Sequence, residues 1–333
     1  MSGPARLTVR HAMASIAAGN AEILGGRGVN TSYRVADTFE GRFLSVKVHC
    51  ADRSAGPELP RIERVDAALR GAPWYPPVID IGFHPAKRPR LVVIRPFVPG
   101  APSDDARRHI DHLTDVLAEL GTRAAGTEAA AELAGDYASP WLHQAEREHA
   151  LAGRILTGAR ENLARALDAH LADLRDSALR LTRADAPVIY HGDLHGRNLI
   201  FDSSRPLTVI DWDEAGFSHR PADAGKALWL SCRQGRGDFV LDPLALRRFL
   251  RHIRGTLRIP YADCVHLARL GALWFLPRQS HTELLGQRDA SLVPWYFDWV
   301  SRFWSRFRQN LDQITETAAA LARDTDRAQG DRA

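Results

Sequence analysis

Residues 191–198 read His191-Gly-Asp193-Leu-His195-Gly-Arg-Asn198, and thirteen residues past Asn198 comes Asp211, inside Val209-Ile-Asp-Trp-Asp213. An Asp, an Asn five positions later and an Asp closing a short apolar run form a set that phosphoryl transfer from a nucleotide requires. One carboxylate orients the attacking hydroxyl and accepts its proton, which assigns the catalytic role to Asp193. An amide oxygen and a second carboxylate are hard donors of the kind magnesium prefers, which assigns Asn198 and Asp211 as metal ligands. A lone loop Asp is more often an Asx turn. The company of Asn198 and Asp211 at this spacing is what points to chemistry. Asp213 offers a further carboxylate, either near the metal or as a cap on the next segment.

Short apolar segments flank the loop: Val188–Tyr190 before it, then Leu199–Phe201 and Leu207–Ile210 around a turn at 202–206. Upstream, the first hundred residues read as strands with one helix. The strands are Ala21–Leu24, Thr31–Val35, Arg42–His49, Pro77–Gly82 and Arg90–Arg95, with a hairpin turn at Asp37–Gly41. The helix is Pro57–Arg70, where Leu59, Ile62, Val65 and Leu69 recur at helical spacing and Gly71 follows as a C′ residue. Pro96-Phe-Val-Pro-Gly100 then breaks regular structure. Beyond it the chain reads as helical over Asp104–Ala125, Pro140–Arg183, from Pro221 onward, and over Trp295–Ala320. The expected class is α+β: a small β-rich lobe over 1–98, a larger helical lobe over 99–320, and a disordered tail over 321–333.

His191-Gly-Asp193-Leu-His195, Asn198, Ile210-Asp-Trp-Asp213 and Pro221-Ala-Asp223-Ala resemble the aminoglycoside phosphotransferase and choline kinase superfamily, small-molecule kinases of protein-kinase-like two-lobe fold. The resemblance extends over roughly residues 20–320 and is strongest over 188–228. Asp, Asn and Asp stand in the order of the protein-kinase signature, but Gly192 replaces its Arg and Trp212-Asp213 its Phe-Gly, which points away from protein kinases. The resemblance implies ATP as donor, with GTP left open, and Mg2+. It implies that Lys47, in the strand Ser-Val-Lys-Val, pairs with the α- and β-phosphates. Its ion-pair partner on the helix would be Glu63, nearer the helix middle, with Glu58 as the alternative. Gly25-Gly-Arg-Gly28-Val-Asn30-Thr-Ser32 would be the hairpin facing the phosphates, with Gly28 admitting the backbone and Asn30 and Ser32 adding donors, although a strict G-x-G-x-x-G is absent. Arg95-Pro-Phe97-Val98 would form the hinge that meets the adenine edge through its backbone. His191, His195 and Asp223 would serve the loop structurally.

Eleven residues, 212–222, separate Asp211 from Asp223. A peptide-binding activation segment with its A-P-E anchor is longer, so the expected acceptor is a small hydroxylated molecule. Its pocket is expected to draw on Asp213, Glu214, Trp229, Trp274 and the aromatic run near Trp295, although each tryptophan taken singly reads more readily as core. The C-terminal third is richer in basic than acidic residues, unlike the acidic cleft a polycationic aminoglycoside calls for. Other natural products and choline-, homoserine- or sugar-type alcohols therefore stay open as acceptors. A protein kinase and a regulatory pseudokinase are the remaining alternatives. Intact Lys47, Asp193, Asn198 and Asp211 oppose the last.

Composition sets the outer limits. A chain of 333 residues with 45% hydrophobic and 25% charged residues can bury a large core. The net charge of +4 gathers into no evident basic stripe, so nucleic acid is not an expected partner. No apolar run reaches the roughly 18 residues a membrane helix needs. Met1–Arg10 has no apolar segment of an export signal, so a cytoplasmic location is expected. Cys50, Cys232 and Cys264 make neither a disulfide framework nor a zinc site. Of 44 basic residues only Lys47, Lys87 and Lys226 are lysines, so a lysine inside an apolar strand stands out.

Overall fold

The computed structural model describes residues 7–24, 30–49, 58–85, 89–102, 106–124, 161–181, 188–202, 205–235, 237–277 and 279–330. Contacts divide the chain into two compact units: residues 1–102 with 199–210, and residues 103–198 with 211–333. The expected boundary at 98 lies four residues before the observed one, and the expected helical lobe contained the 199–210 segment.

In the first unit five antiparallel strands lie in the order β1-β2-β3-β5-β4: β1 (Ala21–Ile23), β2 (Thr31–Asp37), β3 (Arg42–Val48), β4 (Asp80–His84) and β5 (Arg90–Pro96). The β2–β3 turn closes as the sequence suggests, with Gly41 at φ 65 donating its N–H to the Asp37 carbonyl at 2.9 Å. The two-residue period of β3 sends Leu44, Val46 and Val48 into one face and Ser45 and Lys47 to the other. The first face packs on helix α1 (Val9–Ala17), burying Val9 and Ala12 against Val35, Val92 and Ile94. Sequence reading missed α1, although Val9, Ala12, Met13 and Ile16 have helical spacing and Thr8 accepts the His11 N–H as a cap. On the opposite face helix α2 (Glu58–Leu69) inserts Ile62 against Leu91 and Val93. Full burial of such a side chain contributes about 1.5–3 kcal/mol. A second, three-stranded sheet joins β6 (Ala101–Pro102), β8 (Leu199–Asp202) and β9 (Arg205–Val209) in the order β6-β8-β9. The Val209 N–H donates to the Trp74 carbonyl at 2.8 Å, so this segment is tied to the first unit.

The second unit contains helices α3 (Ile110–Ala124), α4 (Glu161–Arg180), α5 (Ala222–Ser231), α6 (Pro243–Thr256), α7 (Cys264–Ala272), α8 (Gln279–Arg288) and α9 (Leu292–Gly330). Strands β7 (Val188–Tyr190) and β10 (Gly216–Ser218) pair antiparallel among them. Most of the long helix expected over 140–183 lies outside the described residues. Helices α5 and α7 cross with their backbones touching: a Cβ on Gly271 would lie 2.1 Å from the Gly225 carbonyl carbon, so only glycine fits at the crossing. Phe239, Phe275, Phe303 and Phe307 form an aromatic core, with the Phe275 and Phe303 rings stacked at 3.9 Å. Of the tail expected to be disordered over 321–333, the described residues 321–330 are helical, α9 continuing to Gly330. Leu321 on it is buried, and Asp324 bonds Arg247 of α6 at 2.5 Å. No described helix is long and apolar enough to cross a membrane. Cys232 and Cys264 are buried and unlinked.

Candidate active site

Strand β7 delivers the chain into the 191–198 loop, and Asp223 in the first turn of α5 holds that loop from behind. Its carboxylate accepts the Gly192 N–H at 2.9 Å and the His191 N–H. Burial pushes the Asp223 pKa up to about 6, against the opposing effect of those two hydrogen bonds. Gly192 sits at φ 85, and a Cβ there would meet the Glu214 Cβ at 2.7 Å. The glycine that replaces the protein-kinase Arg is thus required by the turn and by close packing. His191 is fully buried against Trp212, and its Nδ1 accepts the Asp193 N–H at 3.2 Å. It shapes the loop, as expected.

Asn198 turns its amide nitrogen onto Asp193, donating to the backbone carbonyl at 2.8 Å and to Oδ2 at 3.3 Å. That leaves its Oδ1 as the oxygen to offer a cation. Asp211 is exposed and adopts the left-handed conformation, φ 70 and ψ 53, at the head of the turn Trp212–Glu214. Non-glycine residues rarely hold this conformation, and it recurs at functional sites. The donor set of amide oxygen and carboxylate fits magnesium. Asp213 and Glu214 are half-buried in the same turn.

One residue of the site went unread in the sequence. Lys226, one turn along α5 from Asp223, is 3% exposed, and its Nζ lies 2.5 Å from Asp193 Oδ1 and 2.8 Å from the Gly192 carbonyl. The Trp274 ring covers it, 3.1 Å from Nζ to the ring centroid. Burial lowers the Lys226 pKa from its ordinary value, and Asp193 opposes that shift. Burial raises the Asp193 carboxyl, but Lys226 and then His195, whose Nε2 is 3.5 Å away, outweigh it and hold the group well below the usual carboxylate range. The only signal available in sequence was a rare lysine within an Ala- and Leu-rich helix.

The nucleotide-binding residues expected upstream lie in the first unit. The register places Lys47 opposite Ser32 on β2 and Val93 on β5, so Lys47 lies on the α2 side of the sheet. Asn30 immediately precedes β2, and Gly28 lies outside the described residues. Glu63 departs from expectation. It is on the exposed side of α2, because Ile62, Val65 and Asp66 take the inward positions. The alternative, Glu58, bonds Arg61 at 2.5 Å. Of the expected hinge residues, Arg95 lies in β5, and its guanidinium donates to Tyr75 Oη at 2.8 Å and the Pro76 carbonyl at 2.6 Å. Phe97 follows the strand and donates its N–H to the Phe43 carbonyl at 3.1 Å. Val98 follows β5 and is half-buried. Trp229, expected near the acceptor, is instead fully buried core, donating to the Ala268 carbonyl at 2.7 Å.

The profile of the phosphotransferase enzyme family matches residues 21–256. The chain belongs to that family. Solved structures to which this phosphotransferase is similar include a microcompartment-associated aminopropanol kinase, with TM-score 0.60 and 20% identity over 90% of this chain and 98% of that one. A thermostable mutant of an aminoglycoside phosphotransferase, in ternary complex with ADP and hygromycin B, gives TM-score 0.57 and 17% identity over 92% and 97%. The Plasmodium vivax ethanolamine kinase gives 0.54 and 13% over 88% and 84%. At these identities the likeness shows the fold, which is the protein-kinase-like α+β fold expected. Among curated proteins no sequence matches this phosphotransferase.

Proposed function

We propose that this phosphotransferase moves the γ-phosphate of ATP to a hydroxyl of a small molecule, with Mg2+ as the assisting cation. The observation that carries the reading is the Asp193 loop: its backbone is fixed by Asp223, its carboxylate is held ionised, and Asn198 is bonded to it. Asp193 orients the acceptor hydroxyl and takes its proton late in a loose transition state, a task that positioning serves more than basicity. Bound magnesium would neutralise charge on the phosphates, with the Asn198 amide oxygen and the Asp211 carboxylate as its protein ligands. Lys47 is assigned to the phosphates of the nucleotide.

For the acceptor we infer a compact hydroxylated molecule bearing amino groups. The segment between Asp211 and Asp223 is too short for a peptide platform. Asp211, Asp213 and Glu214 concentrate negative charge beside the loop despite the basic C-terminal third. The fold relatives include kinases named for aminopropanol and ethanolamine and a complex with hygromycin B. Magnesium-dependent ADP release across aminoglycosides, amino alcohols, sugars and neutral antibiotics tests the reading. A signal that vanishes in Asp193→Asn supports it. Release that survives that substitution, or ATP binding without turnover on any acceptor, counts against it.

A further inference from the structure

Lys226 is a buried ammonium whose polar contacts are made within the site. Three elements converge on it: the loop supplies Asp193 and the Gly192 carbonyl, α5 supplies the lysine itself, and Trp274, two residues past α7, covers it. The glycine crossing of α5 and α7 at Gly225 and Gly271 is adjacent to Lys226, and it sets the distance between the lysine's helix and the element bearing Trp274. A buried ammonium without a partner is strongly disfavoured, so this geometry ties the carboxylate and the ammonium to each other.

We propose that Lys226 is a positioning residue for Asp193: its ammonium, anchored by donation to the Gly192 carbonyl, holds Oδ1, so that Oδ2 is the oxygen presented to the acceptor hydroxyl. The inference rests on the reading of Asp193 as the group that receives that proton. Asn198 Nδ2 at 3.3 Å and His195 Nε2 at 3.5 Å approach Oδ2 at longer distances than Lys226 approaches Oδ1, so the lysine is the closer constraint on carboxylate rotation.

The chain's three lysines make the clamp directly observable. Full-length protein labelled with 15N-lysine should give at most three side-chain ammonium signals. Ammonium protons exchange slowly when buried and hydrogen-bonded, as those of Lys226 are, so its signal should persist. That signal, identified by its loss in Lys226→Met, should move in Asp193→Asn. Absence of a persistent Lys226 signal from the wild type overturns the clamp, and so does a Lys226 signal unmoved by Asp193→Asn.

Kinetics supply the second reading and do not depend on Asp193→Asn folding. With Mg-ATP and a hydroxylated acceptor or water, Lys226→Met should lower kcat about 100-fold, the scale of a catalytic group misplaced by an ångström, with the nucleotide KM changed less than about twofold. A lower melting temperature with kcat intact would make Lys226 a structural ion pair only and overturn the proposal. If the wild type turns over no acceptor, the ammonium spectra still decide the clamp, and the failure belongs to the proposed function.

Discussion

Lys47 sits on a strand, half-exposed, with Ser32 and Val93 as cross-strand neighbours. Lys226 sits in a helix, 3% exposed, against a carboxylate that precedes it by 33 residues. Both lie in apolar runs, and neither run alone reveals what its lysine touches. The first was recognised because strand alternation and position after a glycine-rich turn form a local pattern. The second depends on a tertiary crossing, which no local pattern records. A lysine placed by a sheet is readable from its neighbours in sequence, whereas one placed by the packing of two helices is readable only from the fold.

Substitutions can break this contrast or sharpen it, and Asp193→Asn should have the largest effect. Loss of a positioned proton acceptor should lower kcat about 1000-fold with nucleotide affinity retained. A comparable loss of nucleotide binding, measured by calorimetry, would mean that Asp193 serves the donor and not the acceptor. Lys47→Met should show the opposite split from Lys226→Met. A hydrogen bond to a charged group contributes about 1.5–3 kcal/mol, so the nucleotide Kd should rise about 10- to 100-fold. If both lysines moved the same parameter, the distinction between them would collapse.

The crossing itself is tested by Gly271→Ala. Its new Cβ would meet Gly225 backbone, which cannot rotate away, so denaturant melts should show a loss of about 3 kcal/mol, the upper end of overpacking. Asp223 gives a smaller, pH-dependent effect. Its carboxyl holds a proton more tightly folded than unfolded, so between the ordinary carboxylate range and about pH 6 the folded state binds more protons and stability falls as pH rises. Relative to Asp223→Asn, the wild type should lose about 2 kcal/mol between pH 4 and 6.5 and then level off. A flat difference curve would mean that the carboxyl is already ionised at pH 4. Smallest of all, Glu63→Ala on the exposed side of α2 should change stability by less than about 0.5 kcal/mol and leave the nucleotide Kd unmoved. A tenfold rise would restore Glu63 as the partner of Lys47.

Much of the fold was legible because local patterns carry it. Strand β7 was read to the residue, and β2, β3 and β5 within two, since their alternation and flanking turns are encoded in adjacent positions. The span of α2 followed from Leu59, Ile62, Val65 and Leu69, yet periodicity alone did not reveal that Asp66, and not Glu63, joins the inward face and accepts Tyr75 Oη at 3.0 Å. Asp193, Asn198 and Asp223 could be singled out together because their spacing along one loop and helix start is itself the signal, and the structure brings them into contact around that loop. The side-chain bonds of Arg95 to Tyr75 and Pro76 and the Phe97 N–H bond to Phe43 join residues far apart in sequence, so no local pattern records them. Trp229 and Trp274 share a residue type and a neighbourhood, and only burial separates them, one in the core and one over Lys226.

Asp211 bears on the history of the chain. Its left-handed backbone is a conformation that glycine or asparagine would hold with less strain. Replacements that relax the turn are therefore within reach of small mutational change, and each removes the carboxylate. Under selection for foldedness alone this position would drift early toward the relaxed residues, while the core would stay as it is. An aspartate at a position that penalises it fits a role for its carboxylate beyond stability. On the proposed role of Asp211 as a magnesium ligand, the residue at this single position in related chains would separate working transferases from retired copies that keep the same fold.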